Sequence, residues 1–423
     1  MPDSRRTLVV GTTSDYIDWI RRSCPGKALF LTGPDVRKKA VERPPLPLEE
    51  LLVPLSDPAA VLEILEAHLA RTGLVPDGIA CFDCECMGLA AFLADRFGLP
   101  YPSEQAISLC RDKYLSKLAW LEHQVPCPAT AAITSLDEAR GFVRAQGGPC
   151  VLKPLRGSGS ELVFRVTDPA SCDAAFLTIE QGLKVRKDHP LFRAGTADDP
   201  VMVAEAWVDG TEYSADFILE GDALTLIRIA RKIRSSFGPF GTIQGYVIPG
   251  DILEGEPTES LAGILLRGAQ ALGLTRALCM VDFILGKTGP VLLEMTPRPG
   301  GDCLPHMLWK AAKVDILRMT LDFAARRPVW VHPSHLFAPH LGVRLHARSG
   351  GILRRIDTSR LEKDARVRDI HLIAKPGHVV TLPPADYDSW VLGHITVRPD
   401  PAIDLETQCR DLADTVILEM DPS

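Results

Sequence analysis

The N-terminal part of the chain alternates between short apolar runs and segments with apolar positions at helical spacing. The apolar runs end in glycine, proline or polar residues, which is typical of buried strands. The helical segments repeat apolar positions three and four residues apart, and the second one stops at Gly98. Strands that alternate with helices predict a small parallel α/β domain over residues 1–105. The predicted strands are 7–10, 28–31 and 78–82, and the predicted helices are 59–71 and 89–97.

The middle of the chain combines longer helical segments with consecutive strands. A polar stretch with proline and glycine, 188–200, predicts a surface loop. From about residue 337 the pattern predicts short strands and turns, followed by a final helix over 405–419. The helices predicted in between are 109–123, 136–146, 170–187, 261–272 and 309–325, and the strands are 131–134, 150–153, 162–166, 201–208, 212–219, 224–232, 277–285 and 291–295.

A lysine at the end of a predicted strand precedes a glycine-rich loop. Lys153 is followed by the loop 156–160, and another predicted strand follows that loop. Glycines permit close backbone approach to an anion, serines add hydroxyl donors, and a lysine is a point charge suited to phosphate. The pattern predicts a phosphate-binding hairpin, unlike the strand–loop–helix of a Walker or Rossmann site. An ordinary glycine–serine turn is the alternative.

Two acidic residues lie on consecutive predicted strands. A hairpin with its turn at 289–290 would bring Asp282 and Glu294 side by side. Carboxylates among apolar residues repel one another unless a cation lies between them, and magnesium prefers carboxylates together with nucleotide phosphates. Arg298, four residues after Glu294, could place a positive charge on a transferring group. The alternative is that either carboxylate simply pairs with a nearby arginine.

An apolar strand leads into an acidic turn over residues 203–212, which contains Glu205 and Glu212. Backbone groups of such a segment can contact an adenine edge, and a carboxylate can accept hydrogen bonds from ribose hydroxyls. An acidic turn on the surface is the alternative.

Composition and charge limit the classes of protein to consider. Of the 423 residues, 46% are hydrophobic and 24% charged, which is ordinary for a globular protein. With 47 basic and 54 acidic side chains the net charge is −7, so a polyanion-binding surface for nucleic acid or anionic membranes is not expected. No run of about 18 apolar residues predicts a transmembrane helix, and the N-terminal apolar run is too short for a signal-peptide core.

The eleven cysteines are scattered singly, which predicts reduced thiols in a cytoplasmic protein. One cluster, Cys81, Cys84 and Cys86, raises the question of zinc. Zinc would want a fourth ligand and a CxxC repeat, and neither is evident, so a loop at the end of a strand is the favoured interpretation.

The glycine loop, the acidic turn and the carboxylate hairpin, in this order and at these separations, resemble the ATP-grasp superfamily over residues 75–325. The resemblance implies a fold of mixed α/β and α+β class, in which a parallel α/β domain precedes an ATP-grasp fold of two α+β subdomains. Pieces of the tail, among them 375–377 and 392–395, are similar to the L-amino acid ligase branch. The implied domains are 1–105, the small subdomain with its lid at 106–200, the large subdomain with the metal site at 201–330, and a C-terminal β-rich region at 331–423.

The resemblance also implies a role for each matching residue. Lysines of the family contact the ATP phosphates, acidic residues bind ribose and metal, and an arginine follows the metal ligands. Two positions depart from the pattern, because many members have glutamate at Asp282 and asparagine at Thr296, so the number of magnesium ions is open. The implied phosphate contacts are Lys113, Lys153, Ser158, Gly159 and Ser160; the adenine and ribose contacts are Glu205, Trp207, Val208 and Glu212; the Mg²⁺ or Mn²⁺ ligands are Asp282 and Glu294; the catalytic residues are Arg298 and Lys153.

The function implied is that of an ATP-dependent carboxylate–amine ligase that forms an amide through an acyl phosphate. Biotin carboxylase-like, purine-pathway and non-catalytic ATP-binding proteins are the alternatives. Small carboxylates and amines, amino acids among them, are the expected partners, without nucleic acid or membrane, and a homodimer is the commonest assembly. A loop at 235–245 is a candidate second substrate loop. Candidate substrate contacts are Arg228, Arg231, Lys232, Arg234, His306 and Arg344. For each of them taken singly, a solvated cationic face or a surface salt bridge is the favoured alternative.

Overall fold

The computed structural model describes residues 4–192, 202–250, 258–333 and 336–422. In the helix that begins at residue 258, side chains are described from residue 261 onwards. The predicted loop 188–200 from residue 193 onwards, the first residue of the predicted strand 201–208, and the predicted boundary between residues 200 and 201 lie outside this range.

The chain begins with a four-stranded parallel sheet of order β3-β2-β1-β4, as the N-terminal pattern predicts. The longest of its helices starts where Asp57 accepts the N–H groups of Ala59 and Ala60, and it ends at Gly73 in the left-handed conformation. The elements are β1 (Arg5–Val10), α1 (Ser14–Ser23), β2 (Ala28–Thr32), α2 (Pro34–Lys39), β3 (Glu50–Leu52), α3 (Pro58–Thr72), β4 (Val75–Ala80) and α4 (Met87–Phe97).

Two helices replace the single helix predicted over 109–123. They are α5 (Glu104–Arg111) and α6 (Lys113–Glu122). Asp112 between them is extended, with ψ 109°, and its side chain accepts the N–H groups of Tyr114 and Leu115. The prediction was wrong because apolar spacing continues through Asp112, whereas the cap restarts the helix there. Lys113 is consequently the first residue of α6.

The small subdomain is an antiparallel sheet of order β5-β8-β6-β7 covered by two packed helices. Capping boxes start both helices, at Ser135 and at Asp168. The predicted strand 162–166 forms only over its last three residues, since Leu162 has a positive φ. The elements are β5 (Thr130–Ile133), α7 (Leu136–Gln146), β6 (Cys150–Pro154), β7 (Phe164–Val166), α8 (Pro169–Val185) and β8 (Met202–Ala206).

The large subdomain is built on an eight-stranded sheet of order β13-β12-β9-β10-β11-β14-β18-β16. The predicted helix 309–325 is wrong as one element, because Lys313 adopts the left-handed conformation and Asp315 caps a new helix. The elements are β9 (Thr211–Glu220), β10 (Ala223–Arg234), β11 (Ile243–Ile248), α9 (Thr258–Ala271), β12 (Arg276–Gly286), β13 (Gly289–Thr296), α10 (Leu304–Ala312), α11 (Ile316–Ala324), β14 (His340–His346), β16 (Val367–Leu372) and β18 (Val391–Val397).

The C-terminal region extends the large sheet, since β14 pairs directly with β11. A separate three-stranded sheet of order β17-β15-β19 follows it. The predicted final helix is four residues too long, because it ends at Thr415 and the chain then pairs as a strand with β15. The remaining elements are β15 (Gly351–Asp357), β17 (Val379–Val380), α12 (Leu405–Thr415) and β19 (Ile417–Asp421).

The N-terminal domain docks on the large subdomain through α1 and β4, which pack against α11. One hydrophobic core therefore includes residues of both parts, such as Ile17, Phe30, Leu308 and Leu317. Within the described residues no helix combines the length and the apolar character needed to cross a membrane.

A fully buried ion pair joins β9 and β10 and contacts the segment that follows β13. Arg228 Nε and Nη2 each donate to Asp216 at 2.9 Å, and Arg228 Nη1 donates to Ser214. The N–H of Gly300 donates to Asp216 Oδ1 at 3.1 Å. A Cβ at Gly300 would collide with Arg228 Nη2, so only glycine lets the chain after β13 approach this pair. Arg228, predicted as a candidate substrate contact, is instead part of the interior.

We expect the substitution Arg228→Met to lower the free energy of unfolding by about 3–5 kcal/mol, because it leaves Asp216 buried without its cation. Arg22→Met is the matched control, since Arg22 pairs with Asp18 on the surface of α1, and its effect should stay within about 0.5 kcal/mol. Urea unfolding of both variants measures the difference. A loss below about 1 kcal/mol for Arg228→Met would contradict a structural role for the pair.

Candidate active site

A buried carboxylate lies between two lysines where the small subdomain faces α6. Lys153 Nζ is 2.7 Å from Glu205 Oε2, and Lys117 Nζ is 3.1 Å from Glu205 Oε1. Adjacent strands bring two of these side chains together: Val151 on β6 is opposite Glu205 on β8, and Lys153 shares the face of Val151. The structure thus places two predicted site residues, Lys153 and Glu205, in direct contact.

The charges of this cluster determine the protonation of Glu205. Burial alone would raise the pKa of Glu205, but the ammonium groups of Lys117 and Lys153 outweigh it and lower the pKa to about 2. Burial lowers the pKa of Lys117, with Glu205 opposing that effect. Glu205 is therefore a fixed negative charge that holds two cations in position.

Lys117 is a site residue that the sequence analysis missed. It is fully buried, and its Nζ also donates to the backbone oxygen of Leu293 on β13. It lies four residues after Lys113 on α6, so both side chains share one helix face. That spacing was the signal available in the sequence.

Lys113 connects the glycine loop with the carboxylate hairpin. Its Nζ donates to Gly157 O at 2.7 Å and lies 3.8 Å from Glu294 Oε2. The opposite end of the loop meets the large subdomain, because a Cβ at Gly241 would lie 3.0 Å from Ser160 Cβ. The predicted loop residues Ser158, Gly159 and Ser160 therefore lie between Lys113 and the segment that contains Gly241.

The predicted metal carboxylates are neighbours, as the hairpin predicts. Asp282 on β12 is directly opposite Glu294 on β13. Burial raises the pKa of Asp282, as do Glu294 and Glu212, and with Lys232 opposing them the value is about 6. Burial would also raise the pKa of Glu294, but Lys113 and three further lysines hold it below its usual value.

The oxygen donors of this hairpin fit a magnesium ion. Asp282 Oδ1 and Thr296 Oγ1 are both buried without a hydrogen-bond partner among the described residues. Unpartnered buried oxygens are costly, and a hard cation prefers oxygen ligands of this kind. Thr296 lies two residues after Glu294 on β13, so the two side chains are on the same face of the strand.

Glu212, the predicted ribose ligand, is held by two cations. Lys232 Nζ lies 3.0 Å from Glu212 Oε1 and 2.8 Å from Asp282 Oδ2, and Arg234 Nη2 lies 3.1 Å from Glu212 Oε2. Lys232 therefore links the predicted ribose ligand to the predicted metal ligand. The sequence analysis grouped Lys232 and Arg234 with substrate contacts, whereas the structure places them in the same charged cluster as Glu212.

Trp207 and Val208 directly follow β8, the strand that carries Glu205. Trp207 Nε1 donates to Asp209 at 2.6 Å, and the guanidinium of Arg165 lies 4.7 Å from the indole centroid. The backbone N–H of Trp207 donates to Pro149 O. The backbone N–H of Trp207 is thus already used within the protein, and an adenine contact by this residue stays a prediction.

Arg298 does not contact the predicted metal ligands. Its Nε donates to Cys84 Sγ at 3.0 Å and its Nη1 donates to Pro299 O at 2.9 Å. Burial would lower the pKa of Arg298, but Cys84 and Asp83 hold it above its usual value. The side chain therefore faces the short 3₁₀ helix Cys84–Cys86 of the N-terminal domain, and its role on a transferring group stays a prediction.

Three other candidate substrate contacts have protein partners. Arg231 pairs with Glu406, Arg344 with Asp302, and His306 with Asp369. The predicted second substrate loop 235–245 overlaps β11 in its last three residues. Its first part lines a cavity of about 750 Å³ together with residues of the C-terminal region.

Taken together, the site concentrates five cationic and four anionic side chains along facing edges of the two subdomains. A cationic cluster next to paired carboxylates can hold a polyphosphate together with a divalent cation. The cations are Lys113, Lys117, Lys153, Lys232 and Arg234, and the anions are Glu205, Glu212, Asp282 and Glu294.

Comparison with known proteins agrees with this geometry. Residues 146–306 match the family described as the ATP-grasp domain. Human carnosine synthase 1 is 28% identical over 265 residues, which cover 60% of this chain and 31% of that protein. The D-alanine–D-alanine ligase of Cupriavidus pinatubonensis is 26% identical over 298 residues, 67% of this chain and 84% of the ligase. The L-amino acid ligase from Bacillus licheniformis superposes with a TM-score of 0.75 at 17% identity, over 99% of this chain and 98% of that chain.

The predicted resemblance to the ATP-grasp superfamily is confirmed, because residues 146–306 match the model of that domain. The likeness to the L-amino acid ligase covers both ends of the chain and confirms the predicted fold class. The similar proteins are ligases, in agreement with the predicted class of enzyme. The chain spans only 31% of the length of the carnosine synthase it matches.

The lowered pKa of Glu205 predicts a pH-dependent contribution to stability. Because the pKa falls from 4.5 in the unfolded chain to about 2 in the fold, the contribution is complete above about pH 5 and is lost as the pH falls towards 2. We expect the difference in unfolding free energy between the native protein and Glu205→Gln to shrink by roughly 3 kcal/mol over that range. Urea unfolding at a series of pH values measures it.

The matched control is Glu63→Gln, at an exposed glutamate of α3. Its effect on the free energy of unfolding should stay within about 0.5 kcal/mol, because the side chain is exposed. A difference for Glu205→Gln that does not change with pH would show that Lys117 and Lys153 do not hold Glu205 ionised.

Proposed function

We propose that this protein is an ATP-dependent carboxylate–amine ligase that forms an amide bond through an acyl phosphate. The observation that carries the proposal is the position of Lys113, whose ammonium group contacts both the glycine loop and Glu294. One side chain thus connects the predicted phosphate-binding loop with the predicted metal carboxylates. A nucleoside triphosphate with its divalent cation is the ligand that needs both the phosphate-binding loop and the metal carboxylates.

The nucleotide lies between the two subdomains in this proposal. Lys113 and Lys153 hold its phosphates, and Ser158, Gly159 and Ser160 cover them as a lid. The carbonyl group of Trp207 and the amide of Val208 contact adenine, next to Glu205. Glu212 accepts hydrogen bonds from the ribose hydroxyls while it remains paired with Lys232.

Asp282, Glu294 and the hydroxyl of Thr296 would hold Mg²⁺, and Mn²⁺ suits the same oxygen donors. When bound, the ion would neutralise negative charge on the phosphates. The lysines around Glu294 add to that effect from the protein side.

The reaction has two displacement steps. An oxygen of the substrate carboxylate attacks the γ-phosphorus, the bond from that phosphorus to the bridging oxygen breaks, and ADP leaves. The amine, as its free base, then attacks the acyl carbon, phosphate leaves, and the amine proton passes to solvent. Positioning contributes about 7–11 kcal/mol to such reactions, and exclusion of water by a closed lid protects the acyl phosphate.

Amino acids are the substrates we propose. The ligase from Cupriavidus pinatubonensis is named for D-alanine, and the structural neighbour from Bacillus licheniformis for L-amino acids. The free state of all eleven cysteines agrees with the cytoplasmic location that we propose. A homodimer stays a prediction.

The deciding experiment follows phosphate release and product mass with ATP, Mg²⁺ and pooled amino acids. Release that depends on the pool, together with ADP and a dehydrated adduct of two pool members, would support amino acid ligation. ATP binding without stimulation by the pool would turn the search to other carboxylates and bicarbonate, and would favour the non-catalytic alternative.

Glu294→Gln should abolish ligation, because it removes a charge from the proposed metal site. Circular dichroism should remain that of the native protein, since the amide keeps the size of the side chain. Glu419→Gln on β19, far along the chain in the C-terminal sheet, is the matched control and should keep full turnover. Near-normal turnover of Glu294→Gln at saturating Mg²⁺ would eliminate the metal assignment.

Arg298→Ala should lower turnover by about 10²–10³-fold, the effect of losing one preorganised group in a transition state. The dissociation constant of ATP, measured by calorimetry, should change far less. Arg298→Lys keeps the charge and should recover part of the turnover. Parallel loss of turnover and ATP affinity would assign Arg298 to binding alone.

A further inference from the structure

Three histidines from distant parts of the sequence meet outside the charged cluster described above. They are His306 on α10, His371 on β16 and His394 on β18. Their ring centroids lie 4.5, 4.7 and 5.0 Å apart. Three imidazoles at such separations repel one another if they are protonated, and together they offer neutral nitrogen ligands.

Two carboxylates complete the group. Asp369 Oδ2 lies 3.3 Å from His306 Nδ1, and Asp15 Oδ2 lies 3.6 Å from His371 Nε2. The donor atoms of Asp15, His306 and His371 all lie within 4.8 Å of one another, as do those of His306, Asp369 and His394. We call these five residues the histidine cluster.

His394 supplies an independent indication of a ligand. Its side chain is 3% exposed, and its Nε2 is buried without a hydrogen-bond partner among the described residues. Burial of a polar nitrogen that makes no bond costs free energy, so such atoms need an explanation. A metal ion would use the lone pair of this nitrogen.

The fold holds the cluster from several directions. His371 and His394 are opposite each other on paired strands, and α1 of the N-terminal domain contributes Asp15. Lys310 Nζ donates to Asp369 Oδ1 at 3.0 Å, and the ring of Trp19 packs edge-on against His306. Such outer contacts orient ligands in metal sites.

The type of donor selects the type of metal. Imidazole nitrogens with carboxylate oxygens suit zinc and neighbouring transition metals, whereas Mg²⁺ prefers the all-oxygen set of Asp282 and Glu294. We propose that the histidine cluster binds one Zn²⁺ ion, which joins the N-terminal domain to the C-terminal part of the large sheet. This inference does not depend on the ligase activity.

The test uses the full chain, freed of metal by a chelator and titrated with Zn²⁺ in a calorimeter and with Co²⁺ in a spectrophotometer. We expect one high-affinity equivalent per chain, with visible Co²⁺ absorption and no thiolate charge-transfer band. The melting temperature should rise on addition of Zn²⁺, because the ion binds only the folded arrangement.

Variants assign the bound ion to the cluster. His371→Ala and His394→Gln should each weaken Zn²⁺ binding by about 100-fold or more, since even loss of an outer contact costs 10–100-fold. Glu294→Gln and His123→Ala should retain it, because Glu294 belongs to the proposed Mg²⁺ site and His123 is an exposed histidine of the surface.

If a histidine variant does not fold, X-ray absorption at the zinc edge of the native protein decides instead. Imidazole and oxygen ligands without sulfur would support the proposal. Sulfur ligands would assign the ion to cysteines, and absence of a stoichiometric Zn²⁺ site, or its loss in Glu294→Gln, would overturn the proposal.

Discussion

Burial of the Glu205 carboxylate between Lys117 and Lys153 is the interaction on which the site depends. Burial opposes the charges of Lys117 and Glu205, and each of these charges is stabilised by the opposite charge beside it. Lys117 comes from α6, Lys153 from β6 and Glu205 from β8, and Lys117 also donates to Leu293 O on β13. Electrostatic compensation thus joins the small subdomain to the large one at the site that we propose for a nucleotide.

A second buried ion pair has a comparable role in the large subdomain. In the Arg228–Asp216 pair, Asp216 accepts a hydrogen bond from the backbone N–H of Gly300, and Arg228 leaves no room for a side chain at Gly300. The segment after β13 therefore turns towards the N-terminal domain, where Arg298 reaches Cys84. The predicted catalytic arginine thus lies two residues before the glycine that contacts this fully buried charge pair.

The C-terminal region is part of the same architecture through its strands. Because β14 pairs with β11, the large sheet continues without interruption into the strands that carry His371 and His394. The docking of α1 on the large subdomain then places Asp15 against these histidines. Sheet continuity and domain docking thus bring together histidine and aspartate side chains that can ligate a metal and that lie in different parts of the sequence.

Much of the fold could be predicted from apolar periodicity, because strands and helices bury one face at fixed spacing. The helix breaks at Asp112 and Lys313 could not, since caps and left-handed residues override a continuous apolar pattern. Similarly, the final helix was predicted too long because pairing with β15 draws residues 417–421 into a strand.

The sequence by itself predicted the resemblance to the ATP-grasp superfamily. It also predicted that Asp282 lies opposite Glu294, because a short hairpin needs only local information to bring its strands together. It also identified Lys153 and Glu205, which adjacent strands place on one face. Only the tertiary structure decided the partners of Lys117, the ring neighbours of His394 and the approach of Gly300 to Asp216. Those contacts join residues that are far apart in the chain, and burial of charge and polar atoms, which no local pattern records, determines which of them meet.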